Sequence, residues 1–389
     1  MTPFGFHTAA SLVVGRGCTQ QLGSFAQKMK YQRIVVVTDR NLLNAGVVDR
    51  VVKPLHDSGI DVELFLDCVA EPPVEVIRSV AAMAKDFHPD ALLGLGGGSN
   101  MDAAKLAAVI LAHGKDPLDW VGDSRVPGPV FPLICVPTTA GTGSEVSAAA
   151  VFTDTAKKIK VSTLSPYLRP TLALVDSLLT VGCPKQVTAD SGIDALTHAI
   201  EAFTAVHQAE FLSRAGGTTV YQGKNPIADA MAVECIRLVQ AWLKRAVIAP
   251  DDLDARDGMA LAGTLGGLAF SNAGVALVHA MEYPVGGAVH VSHGAGNGLL
   301  LPYVMRYNRP AQPRAFDALD AMFGGDAVEA IEQLRLDIGI PTRLRDLGVT
   351  EAMLPEFAEK AFAIKRLLRV NPRSPASAEE LLDVYRSAF

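Results

Sequence analysis

The sequence predicts an α/β unit built on a parallel sheet, followed by an all-α unit. Two observations carry that reading. Short β-branched runs alternate with helical spacing over residues 30–140, and the runs lead into turns rich in glycine or hydroxyl residues. After residue 183 the alternation stops and helical spacing dominates. The expected units are therefore residues 1–183 and 184–389.

Leu12-Val13-Val14 and Ile34-Val35-Val36-Val37 read as buried strands. Residues 42–58 carry helical spacing ending at Ser58-Gly59, and Val62-Glu63-Leu64-Phe65 returns as a strand. Pro72-Pro73 opens a helix that runs to about Phe87. Ala91-Leu92-Leu93-Gly94-Leu95 is the next strand, Met101 to Leu111 is helical, and Leu133-Ile134-Cys135-Val136 is again a strand. In the second half, helical spacing covers 188–205, 225–249, 255–270, 273–283 and 351–368, with a terminal helix over 376–389. Between Ala205 and Asn225 the chain is polar and reads as an inserted loop containing Arg214-Ala215-Gly216-Gly217.

A chain of 389 residues is long enough for two separate cores, and 49% hydrophobic with 20% charged residues marks it as globular. The net charge of −6, with no long run of Lys or Arg, gives no electrostatic case for nucleic acid or an anionic membrane. Five widely spaced cysteines without a CxxC fit reduced thiols. The N-terminus lacks the pattern of a secretory signal, and no stretch has the roughly twenty apolar residues of a membrane span. The expectation is a soluble, cytoplasmic protein.

Ligands of parallel α/β sheets sit at the carboxyl ends of the strands, and there the informative residues fall. Gly96-Gly97-Gly98-Ser99 leaves a strand and enters a helix, so bare backbone can approach a phosphate at a helix N-terminus. It matches neither GxGxxG nor a Walker A loop, and by itself it also serves as a tight strand-to-helix turn. Asp39, at the end of the Ile34–Val37 strand, could bind adenosine ribose hydroxyls and would repel a 2′-phosphate, favouring NAD over NADP. It could equally cap the helix beginning near Asn41. Pro137-Thr138-Thr139-Ala140-Gly141-Thr142-Gly143-Ser144-Glu145 follows another strand and is dense in hydroxyls suited to a pyrophosphate or ribose. Lys160, in Lys157-Lys158-Ile159-Lys160, is a weaker candidate for the same contacts, because lysines in such a run are usually solvated.

The second half offers a different chemistry. Asp194 and His198 are four residues apart on a helical stretch and so share one face. His279 and His293 lie downstream in a glycine-rich apolar region. One carboxylate and three imidazoles suit a divalent first-row ion such as Fe, Zn or Mn. His290 makes an HxxH with His293, a poorer helical pair, and is left outside the ligand set.

GGGS at 96–99, PTTAGTGSE at 137–145, GIDALTHAIEAF at 192–203 and GLAFSNAGVALVHAMEYPVGG at 267–287 resemble the iron-containing (group III) alcohol dehydrogenases. The resemblance spans nearly the whole chain. It implies a Rossmann-like dinucleotide-binding domain, a helical metal-binding domain, an active site in the cleft between them, and a homodimer. By position it assigns Asp194, His198, His279 and His293 to the metal, with Fe2+ expected and Zn2+ compatible. It assigns Asp39, Gly97, Gly98, Ser99, Thr138, Thr139, Thr142, Val151 and Lys160 to NAD.

The implied reaction is reversible hydride transfer between NAD and a small alcohol, aldehyde or hydroxy acid. This chain has Tyr283 where many members have a second histidine, which makes Tyr283 a candidate substrate contact. The 206–226 segment resembles that of the hydroxyacid–oxoacid transhydrogenases, in which Arg214 or Lys224 would meet a substrate carboxylate. A transhydrogenase of the 4-hydroxybutyrate type is thus the nearest rival reading. A metal-independent reductase and a non-catalytic sensor are the remaining ones.

Overall fold

The computed structural model describes residues 3–157, 159–215 and 219–389. Lys158 of the lysine run, and Gly216 and Gly217 of the inserted segment, lie outside the described residues. The chain divides into two compact units, His7–Cys183 and Pro184–Phe389, with Met1–Phe6 joining the second. The leading residues thus go with the second unit and not with the α/β one. The Gly5 N–H donates to Gln222 Oε1 and Gln208 Nε2 donates to the Pro3 carbonyl, which ties the leading residues to the helical unit.

The strands of the first unit are β1 Leu12–Val14, β2 Arg33–Val37, β3 Asp61–Phe65, β4 Ala91–Gly96, β5 Gly122–Asp123, β6 Leu133–Pro137, β7 Ala149–Asp154, β8 Ile159–Leu164 and β9 Leu172–Val175. Its α-helices are α1 Leu22–Lys28, α2 Arg40–Asn44, α3 Val47–Asp57, α4 Val74–Phe87 and α5 Gly98–His113. Six strands form one parallel sheet in the order β1-β9-β6-β4-β2-β3, as the alternation predicts. Alternate residues of β2 enter opposite cores. Ile34 and Val36 pack with Leu22, Val51 and Leu55, whereas Val35 and Val37 pack with Ile77, Val80 and Met101. Both faces are thus covered, which explains why these strands read as continuous apolar runs.

Two local expectations need correcting. The helix expected over 42–58 is two helices, because Gly46 adopts φ +70°, a left-handed conformation that ends α2 and starts α3. The stretch after the hydroxyl-rich loop forms an antiparallel pair, β7 with β8, in a second sheet of order β5-β8-β7. Its alternating burial (Ala150, Phe152 and Asp154 inward) is too short and too mixed in composition to stand out in sequence.

The second unit is helical: α6 Lys185–Thr204, α7 Gln208–Ala215, α8 Pro226–Ile248, α9 Leu253–Ala273, α10 Leu277–Val289, α11 His293–Asn308, α12 Pro313–Phe323, α13 Ala327–Ile338, α14 Leu354–Ala363, α15 Lys365–Leu368 and α16 Ala378–Ala388. The inserted segment contains α7 and is not wholly irregular. The helix expected from 273 starts at Leu277, because Gly274 at φ +119° closes α9 and the chain turns by 108° into α10. Among the described residues no single helix is long and apolar enough to cross a membrane.

Helix α11 escapes sequence reading because Gly294, Gly296, Gly298 and Pro302 are poor helix formers. Packing explains three of them. A Cβ on Gly294 would lie 2.0 Å from the Asp190 carbonyl, one on Gly296 2.8 Å from Glu282 Cγ, and one on Gly298 2.7 Å from Ile193. The bare face of α11 lets it lie directly against α6 and α10.

Candidate functional site

In the α/β unit, β2, β4 and β6 are parallel neighbours, with Val37 beside Gly94 and Gly96 beside Pro137. Their carboxyl ends therefore deliver Asp39, the glycine turn and the hydroxyl-rich loop to one edge of the sheet. Gly96, at φ +142°, turns the chain out of β4, and a Cβ there would meet Asn100 Nδ2 at 2.1 Å. Gly97 and Gly98 face the threonines: added Cβ atoms would stand 3.7 Å from Thr139 Oγ1 and 3.1 Å from Thr142 Cγ2. The Thr138 N–H donates to the Gly96 carbonyl at 3.0 Å and binds the two loops together. Thr139 Oγ1 is buried with no hydrogen-bond partner among the described residues. A glycine-lined helix start and an unanswered hydroxyl beside it fit a phosphate group.

The other nominated positions sit around this cradle. Asp39 caps α2, its Oδ1 accepting from the Asn41 and Leu42 N–H groups at 2.9 and 3.1 Å. Its Oδ2 accepts from Asn100 Nδ2 at 2.8 Å. The capping role and the place at the strand end are therefore both present. Ser99 Oγ accepts from the Glu71 N–H at 3.1 Å, and Lys160 forms an ion pair with the Glu71 carboxylate. The Lys160 side chain is only 9% exposed, so it is not one of the solvated lysines of its run. The Val151 N–H donates to Asp102 Oδ2 at 2.9 Å. Asn100, Asp102 and Glu71 brace the cradle, and no motif in the sequence marked them.

In the helical unit, α6 carries Asp194 and His198 on one face, α10 carries His279, and His293 opens α11. Asp194, His198 and His279 are buried, and one donor atom from each lies within 4.8 Å of the others. Asp194 Oδ1 is 3.9 Å from His198 Nε2. The His279 and His293 rings are 5.2 Å apart at their centroids, and their Nε2 atoms approach one atom, Asn297 Nδ2, at 3.3 and 3.1 Å. That same atom lies 2.8 Å from Asp194 Oδ1. Asp194, His198 and His279 thus form one close group, and His293 meets Asp194 and His279 around Asn297 Nδ2.

Their far sides are held by groups the sequence reading missed. His279 Nδ1 faces Glu201 Oε2 at 2.6 Å, and Glu201 also accepts from the Ala276 and Val278 N–H groups. His293 Nδ1 faces Glu282 Oε2 at 2.5 Å. A carboxylate on Nδ1 holds the proton there and leaves the Nε2 lone pair directed at the shared locus. The only sequence signal was that both glutamates lie three residues after a candidate histidine, Glu201 after His198 and Glu282 after His279, each on the same helix. His198 instead stacks on Phe270, with centroids 4.3 Å apart, and its buried Nδ1 has no hydrogen-bond partner among the described residues.

Burial pushes the His198 imidazole down to about 4, and the neighbouring His279 and His293 push the same way. Burial acts to raise the Asp194 carboxyl, but the three imidazoles and the Asn297 amide outweigh it and leave the group below its ordinary value. A neutral imidazole and an ionised carboxylate are the states that bind a cation. A carboxylate and three imidazoles, two of them with Nδ1 held by a glutamate, fit a divalent metal.

Tyr283 is half-buried beside His293, with ring centroids 5.9 Å apart. The two cations of the inserted segment are committed elsewhere. Lys224 Nζ donates to the Phe203 carbonyl at 2.5 Å and to Asp229 at 2.7 Å. Arg214 donates to the Arg369 and Asn371 carbonyls and pairs with Glu210. His290 is exposed at the end of α10.

Comparison with known proteins follows the same two halves. The family profile "Iron-containing alcohol dehydrogenase" matches residues 9–177, and "Fe-containing alcohol dehydrogenase family, C-terminal" matches 188–389. A long-chain-alcohol dehydrogenase of Geobacillus thermodenitrificans is 38% identical over 97% of this chain and 94% of its own length. The mitochondrial hydroxyacid-oxoacid transhydrogenase of Bos taurus is 32% identical, over 100% of this chain and 91% of its length. The crystal structure of sulfoacetaldehyde reductase from Bifidobacterium kashiwanohense in complex with NAD+ superposes with a TM-score of 0.88 at 28% identity, covering 100% of this chain and 99% of that one.

Proposed function

Because the chain belongs to the iron-containing alcohol dehydrogenase family, we propose that Asp194, His198, His279 and His293 hold the metal ion of its NAD-linked alcohol–carbonyl interconversion. The observation that carries this assignment is the buried group of Asp194, His198 and His279, with the His293 ring beside His279. When bound, the metal supplies a Lewis acid that polarises the substrate oxygen.

The chain's own residues then do four things. Glu201 and Glu282 keep the His279 and His293 lone pairs on the metal side. Gly97, Gly98 and the start of α5 receive the pyrophosphate of NAD, with Ser99, Thr138, Thr139 and Thr142 offering hydroxyl and backbone donors. Asp39 meets the adenosine ribose and disfavours a 2′-phosphate, while Val151 and Lys160 complete the cofactor contacts. Tyr283 offers a phenol to the substrate beside His293.

The test is an NAD-coupled screen of alcohols, diols and hydroxy acids on metal-stripped and Fe(II)-loaded protein. The expected result is turnover only when loaded, and loss of both metal and turnover in His279→Ala and His293→Ala. Full activity after stripping overturns the metal assignment. Turnover of 4-hydroxybutyrate with 2-oxoglutarate and no added NAD would instead favour a transhydrogenase. A homodimer and a cytoplasmic location belong to the same reading. The family resemblance supports the first, and five free cysteines support the second. Light scattering in solution and cell fractionation check them.

A further inference from the structure

The helical unit has a second concave feature, a cavity of about 420 Å³ lined by none of the metal or cofactor candidates. That volume falls within the roughly 300–1,000 Å³ of small-molecule sites. Four cations line it: Arg214 on α7, Lys365 and Arg366 on α15, and Arg369 just beyond. No carboxylate does, although the chain as a whole carries a net charge of −6. The cluster thus runs against the sign of the protein.

The four cations are not equally available. Arg214 Nη1 donates to the Arg369 and Asn371 carbonyls at 3.3 and 3.0 Å, and Glu210 offsets its charge. The Arg369 guanidinium lies 5.5 Å from the centroid of the Phe211 ring. Lys365 Nζ sits 3.0 Å from the centroid of Phe362, a contact that leaves its three N–H donors unspent. Neither Lys365 nor Arg366 makes a hydrogen bond or ion pair among the described residues. Two adjacent cations therefore line the cavity with their donors uncommitted, and Phe362, Leu368 and Pro375 add an apolar wall.

We propose that this cavity binds a small phosphate monoester, apart from the metal and cofactor positions. Two cations match the charge of about −1.5 to −2 that such a group carries at pH 7, whereas a single carboxylate would leave one of them unanswered. Arginine offers a planar fork to phosphate oxygens and lysine a point charge. The apolar wall receives the carbon portion of the ester.

The full chain is titrated calorimetrically with phenyl phosphate at constant ionic strength, since exposed charges are screened by salt. Saturating NAD is present to fill the glycine cradle of the α/β unit. The expected result is one site per chain, with inorganic phosphate several-fold weaker for want of the ring and benzoate weaker still for want of the second charge. Lys365→Gln and Arg366→Gln each weaken phenyl phosphate roughly tenfold, while melting temperature and alcohol turnover keep their wild-type values. Arg237→Gln removes an exposed charge on α8 outside the cavity and leaves binding unchanged. Absence of binding to the wild type overturns the proposal, as does wild-type affinity in both cavity variants. An equal loss in Arg237→Gln overturns it too, by showing diffuse attraction instead of a site. Benzoate binding as tight as that of phenyl phosphate overturns the choice of a phosphate ester.

Discussion

Each unit contains a largely buried polar cluster, and the two are built in opposite ways. In the α/β unit, Lys105 is wholly buried on α5, and its Nζ donates to Ser144 Oγ, the Ser147 carbonyl, Ser147 Oγ and the Ala149 carbonyl at 2.8 to 3.2 Å. Asp102 stands 3.8 Å away and accepts from Ser144 Oγ and the Val151 N–H. Burial lowers the lysine pKa and raises the aspartate pKa, with each partner opposing the other's shift. This cluster brings its own cation and closes on itself. The helical unit gathers Asp194, His198 and His279, with His293 beside them, around a point that the neutral Asn297 amide faces. A buried cluster with its own counter-charge is scaffold, and one rich in acceptors without a cation of its own is suited to one from outside.

That contrast predicts opposite consequences for damage to each cluster. His279→Ala removes a donor from the open cluster. Loss of a Lewis acid worth several kcal/mol in the transition state lowers kcat/KM about a thousandfold or more, with little change in the melting temperature of the metal-free protein. Bound metal by elemental analysis and steady-state kinetics check it together. Lys105→Met attacks the closed cluster, leaving Asp102 and a ring of carbonyl and hydroxyl oxygens without their cation. It costs about 3–5 kcal/mol of stability in denaturant titration while metal stoichiometry stays at the wild-type value. A stable Lys105→Met protein, or a metal-depleted one, breaks the distinction. Glu201→Gln should act between these extremes. The amide still fills the space beside His279 Nδ1 but no longer pins its tautomer, so metal affinity falls about 10–100-fold, read by competition with a chelator.

The candidate site was legible in sequence because groups able to hold a metal are few residue types, here partly at helical spacing. Asp194 and His198 declare themselves four apart on an apolar stretch. Its supports were not legible. Glu282 shares a helix with His279 yet serves His293, a pairing created by the packing of α10 on α11. Asn297 lay on a helix disguised by glycines whose purpose appears only when α6 is placed against them. The parallel sheet was legible from its apolar runs, whereas the β7–β8 pair, with short mixed alternation, was not. Lys160 ranked as the weaker candidate because its partner Glu71 comes from a distant turn, which sequence spacing cannot bring near.

Asp39 tests the comparison at its finest grain, because it is an acceptor whose two oxygens are already answered within the chain. Oδ1 caps α2 and Oδ2 takes the Asn100 amide, so the closed-cluster rule would make it scaffold. Its place beside the glycine turn argues for a cofactor role as well, since a carboxylate can accept further bonds and its charge still repels a 2′-phosphate. Two substitutions separate the roles. Asp39→Ser keeps a capping oxygen and removes the charge, so stability changes by less than about 0.5 kcal/mol while the kcat/KM ratio of NADP to NAD rises roughly tenfold. Asp39→Ala gives the same cofactor shift and also loses about 1 kcal/mol with the cap. If both variants keep the wild-type cofactor ratio while only Asp39→Ala loses stability, Asp39 is a cap alone, and the choice between NAD and NADP is made elsewhere along the same sheet edge.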